Sequence, residues 1–188
     1  METFPIWRIR PAGPEDADAL SLVGSATFLE SFAGLVDGAG IVAHCLRHHS
    51  ADAYRAYFAK GAKAWLVEVE PGHAPVGYAL TCEPELELAR PGDLELKRIY
   101  LLSRFQGSAI SGVLLRHACE AAEGRARLLL GVKDDNHRAI AFYRKNGFET
   151  IGTRRFDVGG KIYNDLVLAR PLAPASPSLQ PALHARSD

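Results

Sequence analysis

The chain is short of cysteine, of net charge and of long apolar runs. Only three cysteines, Cys45, Cys82 and Cys119, occur in 188 residues. They are odd in number and far apart, which argues against a disulfide framework or a zinc ribbon and makes a reducing cytoplasm the expected compartment. Twenty-two Lys and Arg residues balance twenty-two Asp and Glu, so no overall field favours nucleic acid or an anionic membrane. No apolar run is long enough to span a bilayer, and the opening METFPIWRIRPAGPED lacks the apolar stretch and cleavage site of a signal peptide. Internal repeats are also lacking. A soluble protein with neither a nucleic-acid nor a membrane partner is expected.

What is present suits one globular domain. Hydrophobic residues make up 47% of the chain and charged residues 23%, enough for a full-sized core. A short strand at Trp7–Arg10 leads through Pro14 to a helix with Glu15 and Asp16 in its first turn, where negative charge suits the helix dipole. Leu20, Val23, Thr27 and Phe28 share one face of that helix. Ile41–Lys60 holds one or two further helices, interrupted near HHSAD. AWLVEVE and PVGYALT read as strands joined through Pro71, Gly72 and His73, and LELKRIYLL as a third, together an antiparallel meander.

The pattern changes after Gly107. Val113, Leu114, His117, Ala118 and Ala121 recur at helical spacing. RLLLGV reads as a central strand covered on both faces. In NHRAIAFYRKNGF, a short helix carries Ala139, Phe142 and Tyr143 on one side, with Asn136 as N-cap and Gly147 as C-cap. ETIGTRRF and KIYNDLVLAR form a closing hairpin through Val158, Gly159 and Gly160. Residues 171–188 hold four prolines without apolar periodicity, the composition of a disordered tail.

Two segments carry the functional signal. LELKRIYLLSRFQGSAISGVLL followed by GVKDDNHRAIAFYRKNGF resembles the GCN5-related N-acetyltransferase (GNAT) superfamily over about Trp7 to Arg170. The most specific part is Asn136 to Phe148, similar to the second acetyl-CoA motif of that family. LKRIYLL, with Thr27, Phe28, Glu30 and Phe32, is similar to the polyamine and small-amine branch. The resemblance implies an α/β fold with a mixed, mostly antiparallel splayed sheet flanked by helices, and an N-acetyltransferase domain over residues 7–170. The family loop reads Gln or Arg, two residues, Gly, one residue, then Gly or Ala. Counting back from Leu114-Leu115 gives Gln106, Ala109 and Ser111, with two glycines lost; counting from Arg104 gives Arg104, Gly107 and Ala109. The first register is preferred because helix packing resists shifting more than a loop sequence does. Ala and Ser at negative φ need not block a ligand's approach to the backbone.

Acetyl transfer to an amine needs a bound acyl carrier, a deprotonated amine, an oxyanion donor and a proton for the leaving thiolate. The resemblance implies that N–H groups across Gln106, Gly107, Ser108, Ala109, Ile110, Ser111 and Gly112 hold the CoA pyrophosphate and that the main chain at Tyr100 and Leu101 pairs with pantetheine. Leu101 N–H would then face the thioester oxygen, Asn136 would contact the cofactor, and Tyr143 would be the general acid. Glu95 stands where relatives carry a glutamate that removes the amine proton through water; an exposed carboxylate paired with Lys97 is its alternative. For Tyr143 the alternative is a core aromatic. His44 with His48, and Cys45 with His49, have helical metal-pair spacing but no accompanying acid, so no metal is expected. Cys119 reads as a buried helix residue. The partners implied are acetyl-CoA and an amine: a small molecule such as a polyamine, or a peptide or protein amine. A CoA-binding scaffold without turnover is the reading of another class. Glu30, Asp37 and Asp52 could attract a polycation. The oligomeric state is left open, a homodimer included.

Overall fold

In the computed structural model, which describes residues 5–158 and 160–172, strand β1 (Trp7–Ala12) passes through a 3-10 turn at Pro14–Asp16 into helix α1 (Ala17–Phe32). The acids foreseen at this entry are used locally. Asp16 accepts from Gly13 N–H at 3.0 Å and pairs with Arg10 at 2.7 Å. Leu20, Val23, Thr27 and Phe28 are all buried. Helices α2 (Gly38–His48) and α3 (Ala51–Ala59) fill the next region. They separate at HHSAD because Ser50 caps α3, its hydroxyl accepting from Ala53 N–H, while Asp37 caps α2 through Gly40 N–H.

Strands β2 (Lys63–Val69), β3 (Ala74–Cys82) and β4 (Asp93–Leu101) form the expected meander, with β1 antiparallel to β2. Helix α4 (Ile110–Ala121), strand β5 (Arg127–Lys133), helix α5 (His137–Lys145) and strands β6 (Glu149–Val158) and β7 (Lys161–Pro171) complete the chain. All seven strands form one sheet in the order β1-β2-β3-β4-β5-β7-β6. Gly159, in the turn expected from the sequence, and residues 173–188 of the expected tail lie outside the described residues, whereas Pro171, the first residue of that expected tail, belongs to β7.

Helices α4 and α5 bury Leu94, Leu96, Leu101, Leu128, Leu130 and Phe148 on one face of the sheet. On the other, α1 and α3 cover Leu66, Tyr78, Leu80 and Cys82. The stripe read on α4 is turned slightly from its expected position. Ile110, Leu114, Leu115 and Ala118 are the buried positions, whereas Val113 and Ala121 are half-buried. His117 stacks on the Trp65 ring at 5.8 Å instead of entering the core. Glycine is required at Gly24, in the middle of α1. A Cβ there would collide with the Tyr54 hydroxyl and lie 2.7 Å from His49 Nδ1.

Two local features set up the site. Only Asp93–Glu95 of β4 pair with Arg127–Leu129 of β5, the sheet's one parallel junction. Asp93 pins its start, accepting from Arg127 Nε at 3.0 Å and Nη2 at 2.6 Å and from Arg90 N–H at 2.7 Å. Beyond Glu95 the two strands separate. The second feature is a bulge in β4: Leu96 pairs with Thr81 but Arg98 with Leu80, leaving Lys97 as the extra residue. Leu94 and Leu96 before it, and Ile99 and Leu101 after it, all face α4. Glu95, Lys97, Arg98 and Tyr100 therefore share the opposite face, toward α1–α3.

Candidate active site

The gap between β4 and β5 exposes a strand edge. Leu102 N–H is bonded to Val76 O on β3 at 2.9 Å, and successive residues of a strand alternate the direction of their N–H groups. Leu101 N–H consequently points to the other edge, into the gap. Its carbonyl, on the same edge, accepts from Gln106 Nε2 at 3.1 Å. Gln106 Oε1 accepts in turn from Arg138 Nη1 on α5 at 3.0 Å, so one side chain ties the strand end to the helix across the gap.

The loop after β4 is shaped to present its backbone. Gly107 takes φ +82°, and Ser108 Oγ donates to Phe105 O at 2.6 Å. Ala109 lies at φ −66°, ψ −14°, ordinary helical space. The replacement of glycine thus introduces no strain. A Cβ on Gly112 would meet nothing within 4 Å. Ile110 points its side chain into the core and is fully buried, leaving only its backbone toward the loop. The N–H groups of Ser111 and Gly112 stand in the first turn of α4, where intrahelical acceptors are absent and the dipole is positive. Arg138 Nη2 would lie 3.8 Å from a Cβ on Gly107, adding a cation to that concavity. Sequence reading missed Arg138. Its position in the turn after Asn136 was a signal of sorts, since that turn faces the loop.

Asn136 is exposed and caps α5, its Oδ1 accepting from Ala139 N–H at 3.1 Å. Tyr143, about two turns further on, is 8% exposed between the rings of Phe142 and Phe148, at 5.4 and 5.6 Å. Among the described residues its hydroxyl has no hydrogen-bond partner. Burial raises its pKa above the ordinary tyrosine value, with Tyr100 adding in the same direction. It keeps its proton at neutral pH.

Glu95 is only 2% exposed. Its Oε2 accepts from Glu85 N–H at 2.7 Å, and Oε1 lies 3.3 Å from Lys97 Nζ. The pairing with Lys97 is present, but the carboxylate is buried, not exposed. On the same face Tyr54 donates to the Tyr78 hydroxyl at 2.7 Å and lies 3.0 Å from His49 Nδ1. Burial pushes His49 down to about 2, with Arg98 and two neighbouring histidines adding, so it is neutral. His44 and His48 are in ring contact at 4.5 Å, and His44 also stacks on Phe28 at 4.1 Å. Among the described residues no group of three or more His, Cys, Asp or Glu is placed to hold a metal. Cys82 is buried, Cys45 and Cys119 half-buried, and all three are free thiols. No described helix is long and apolar enough to cross a membrane.

A splayed β4–β5 junction thus leaves an open strand edge running to a helix N-terminus, the arrangement expected from the resemblance to acetyltransferases. The family model for the acetyltransferase (GNAT) family matches residues 39–148. An uncharacterized N-acetyltransferase of Mycobacterium tuberculosis (strain ATCC 25618 / H37Rv) is 31% identical over 159 residues, 84% of this chain and 98% of the relative. The chain belongs to the GNAT family and is an N-acetyltransferase. Among solved structures, the PaiA N-acetyltransferase of Thermoplasma acidophilum in complex with coenzyme A superposes with a TM-score of 0.68 at 18% identity, covering 88% of this chain and 99% of that one. A ribosomal-protein-alanine N-acetyltransferase of Brucella melitensis gives 0.65 at 25% identity, with 88% and 99% covered.

Proposed function

We propose that this enzyme transfers acetyl directly from acetyl-CoA to the primary amine of a small molecule. The observation that carries the reading is the open edge of β4, which ends at Leu101 and continues into the N-terminal turn of α4. The residues fit the donor. Leu101 N–H is free to receive a carbonyl oxygen, Ala109 is unstrained, and Ser111 and Gly112 offer N–H groups to a pyrophosphate with Arg138 beside them. Asn136 holds the start of α5 and so the position of Tyr143. A buried hydroxyl that stays protonated suits Tyr143 to give a proton to the departing thiolate. Glu95 is the base of this reading, collecting the amine proton through water. Its engagement with Glu85 N–H and Lys97 favours a second role, holding the loop before β4 in place.

For the acceptor, the acids offered to a polycation are already occupied. Glu30 accepts from Ser103 N–H at 2.9 Å, Asp37 caps α2, and Asp52 pairs with Arg55 at 3.0 Å. They lend a polyamine no support. Helices α1–α3 close the face of β4 opposite α4 with buried Tyr54 and Tyr78, which favours a compact acceptor over an extended peptide. Thiol release with acetyl-CoA and a panel of amines, including spermidine, amino acids and short peptides, tests the reading. It fails if no amine releases thiol, or if peptides alone do. Ala109→Asp should weaken acetyl-CoA at least tenfold by like-charge repulsion at the helix terminus.

A further inference from the structure

Arg98 is buried without an ion-pair partner among the described residues. It is 8% exposed on the acceptor face of β4, and the carboxylates of Glu85 and Glu95 are committed elsewhere. Lys97, the extra residue of the bulge, takes Glu85 at 2.7 Å and Glu95 at 3.3 Å. Arg98 Nη2 donates to His48 O at 2.6 Å, and its guanidinium lies over the Tyr54 and Tyr57 rings at 5.1 and 5.3 Å. The Tyr54 hydroxyl is close enough to feel its charge and to interact with it as a loose acceptor, yet Nη1 is buried with no well-aligned acceptor among the described residues. A buried guanidinium lacking both an anion and an acceptor for one of its nitrogens is costly in a protein interior.

Arg98 also borders a cavity. A space of about 190 Å³ under the α2–α3 junction is bordered by Arg98, Arg47, Lys60, His48, Tyr57 and Glu85. Arg47, Lys60 and Arg98 make no ion pair among the described residues, whereas Glu85 pairs with Lys97, which it shares with Glu95, and also feels Lys60 and Arg98. His48 is held below its ordinary pKa, first by burial and then by Arg47, Arg98 and Lys97. The lining thus holds three cations against one carboxylate, which Lys97 partly offsets, beside an aromatic ring. A polyamine would be repelled from it; a carboxylate would supply negative charge and accept from these donors.

We propose that this cavity is an anion subsite, centred on Arg98, for a carboxylate carried by the acceptor amine. The assignment rests on the acetyl-transfer reading for its purpose, though the site itself is a binding property. Arg98 and Leu101 are three residues apart on one strand, roughly 10 Å at about 3.3 Å per residue. The acceptor's anion is therefore several bonds from its amine, as in an ω-amino acid or a short acidic conjugate.

The test compares ε-aminocaproate, its uncharged amide and spermidine. Affinity is measured by calorimetry on CoA-loaded protein, which needs no turnover, and KM by thiol release. The carboxylate should bind at least tenfold more tightly than the amide, and spermidine most weakly. Arg98→Gln removes the central contact, but it also frees the His48 carbonyl and can unfold the chain. The exposed double variant Arg47→Gln/Lys60→Gln therefore accompanies it, and should lower the carboxylate-to-amide ratio to less than threefold. Equal affinity for carboxylate and amide in the wild type, or a ratio unchanged in the double variant, would overturn the proposal. Turnover of amines without that preference sinks the subsite and leaves the transferase; preferential carboxylate binding without thiol release sinks the small-amine reading and leaves the subsite.

Discussion

Replacing Tyr143 by Phe isolates the proposed proton donor because little else changes. The ring stays between Phe142 and Phe148, and the hydroxyl gives up no hydrogen bond to a described residue. Stability should accordingly shift by no more than about 0.5 kcal/mol, the range of substitutions that touch no packing or polar network. The catalytic effect should be far larger. General-acid contributions run from about 100- to 10,000-fold, or roughly 2.7 to 5.5 kcal/mol of barrier at about 1.36 kcal/mol per decade. Acetyl-CoA affinity should stay within about twofold, so the loss falls on kcat. Single-turnover thiol release, calorimetric binding of acetyl-CoA and thermal melting measure the three quantities. A variant that keeps more than about half the wild-type rate when chemistry is limiting would refute the assignment. The wild-type profile carries a second check. Since the Tyr143 pKa is raised, activity should not decline at the ordinary tyrosine value near 10.

Other perturbations probe different parts of the molecule. If Glu95 collects the amine proton, Glu95→Gln should depress turnover most at low pH and recover toward the amine pKa near 10; a uniform loss across pH would identify a positioning role instead. Gly24→Ala should lower stability by about 1 to 3 kcal/mol, because the new methyl meets the Tyr54 hydroxyl and His49 ring; an unchanged melting temperature would contradict the packing. His49 is held below its unfolded pKa of about 6.5, so the unfolded chain binds more protons as pH falls. Its contribution is present above pH 6.5 and declines below, by about 1.4 kcal/mol at pH 5.5. A melting temperature flat from pH 7 to 5.5 would rule this out.

Much of the architecture could be read from residue patterns, since it rests on local rules. Ser50 after HH, Pro14 before acids, and Gly147 after a helical run mark boundaries through capping and dihedral preference. The second acetyl-CoA motif supplied the family. The position of His117 was misread because periodicity gives a stripe's direction only to within a residue or so, and a histidine near Trp65 can stack at the rim. The bulge left a trace that went unused: the apolar positions Leu94, Leu96, Ile99 and Leu101 slip phase between the second and third. The isolation of Arg98 had no such trace. It depends on Lys97 engaging both Glu85 and Glu95, a competition between charges thirteen and fewer positions apart that only the folded strand resolves.

That competition gives the bulge a meaning for inheritance. Lys97 is supernumerary: Leu96 already pairs with Thr81 and Arg98 with Leu80, so losing one codon would restore a regular ladder and leave every other β4 side chain on its present face. The sheet would hardly register the change. The charge balance would shift, because Glu85 and Glu95 would lose their shared cation beside an arginine that has no ion-pair partner of its own. On the proposed reading, a single in-frame deletion separates a strand that seeks an external anion from one that satisfies itself, and acceptor preference can drift along a lineage without any alteration to the half of the protein proposed to hold CoA.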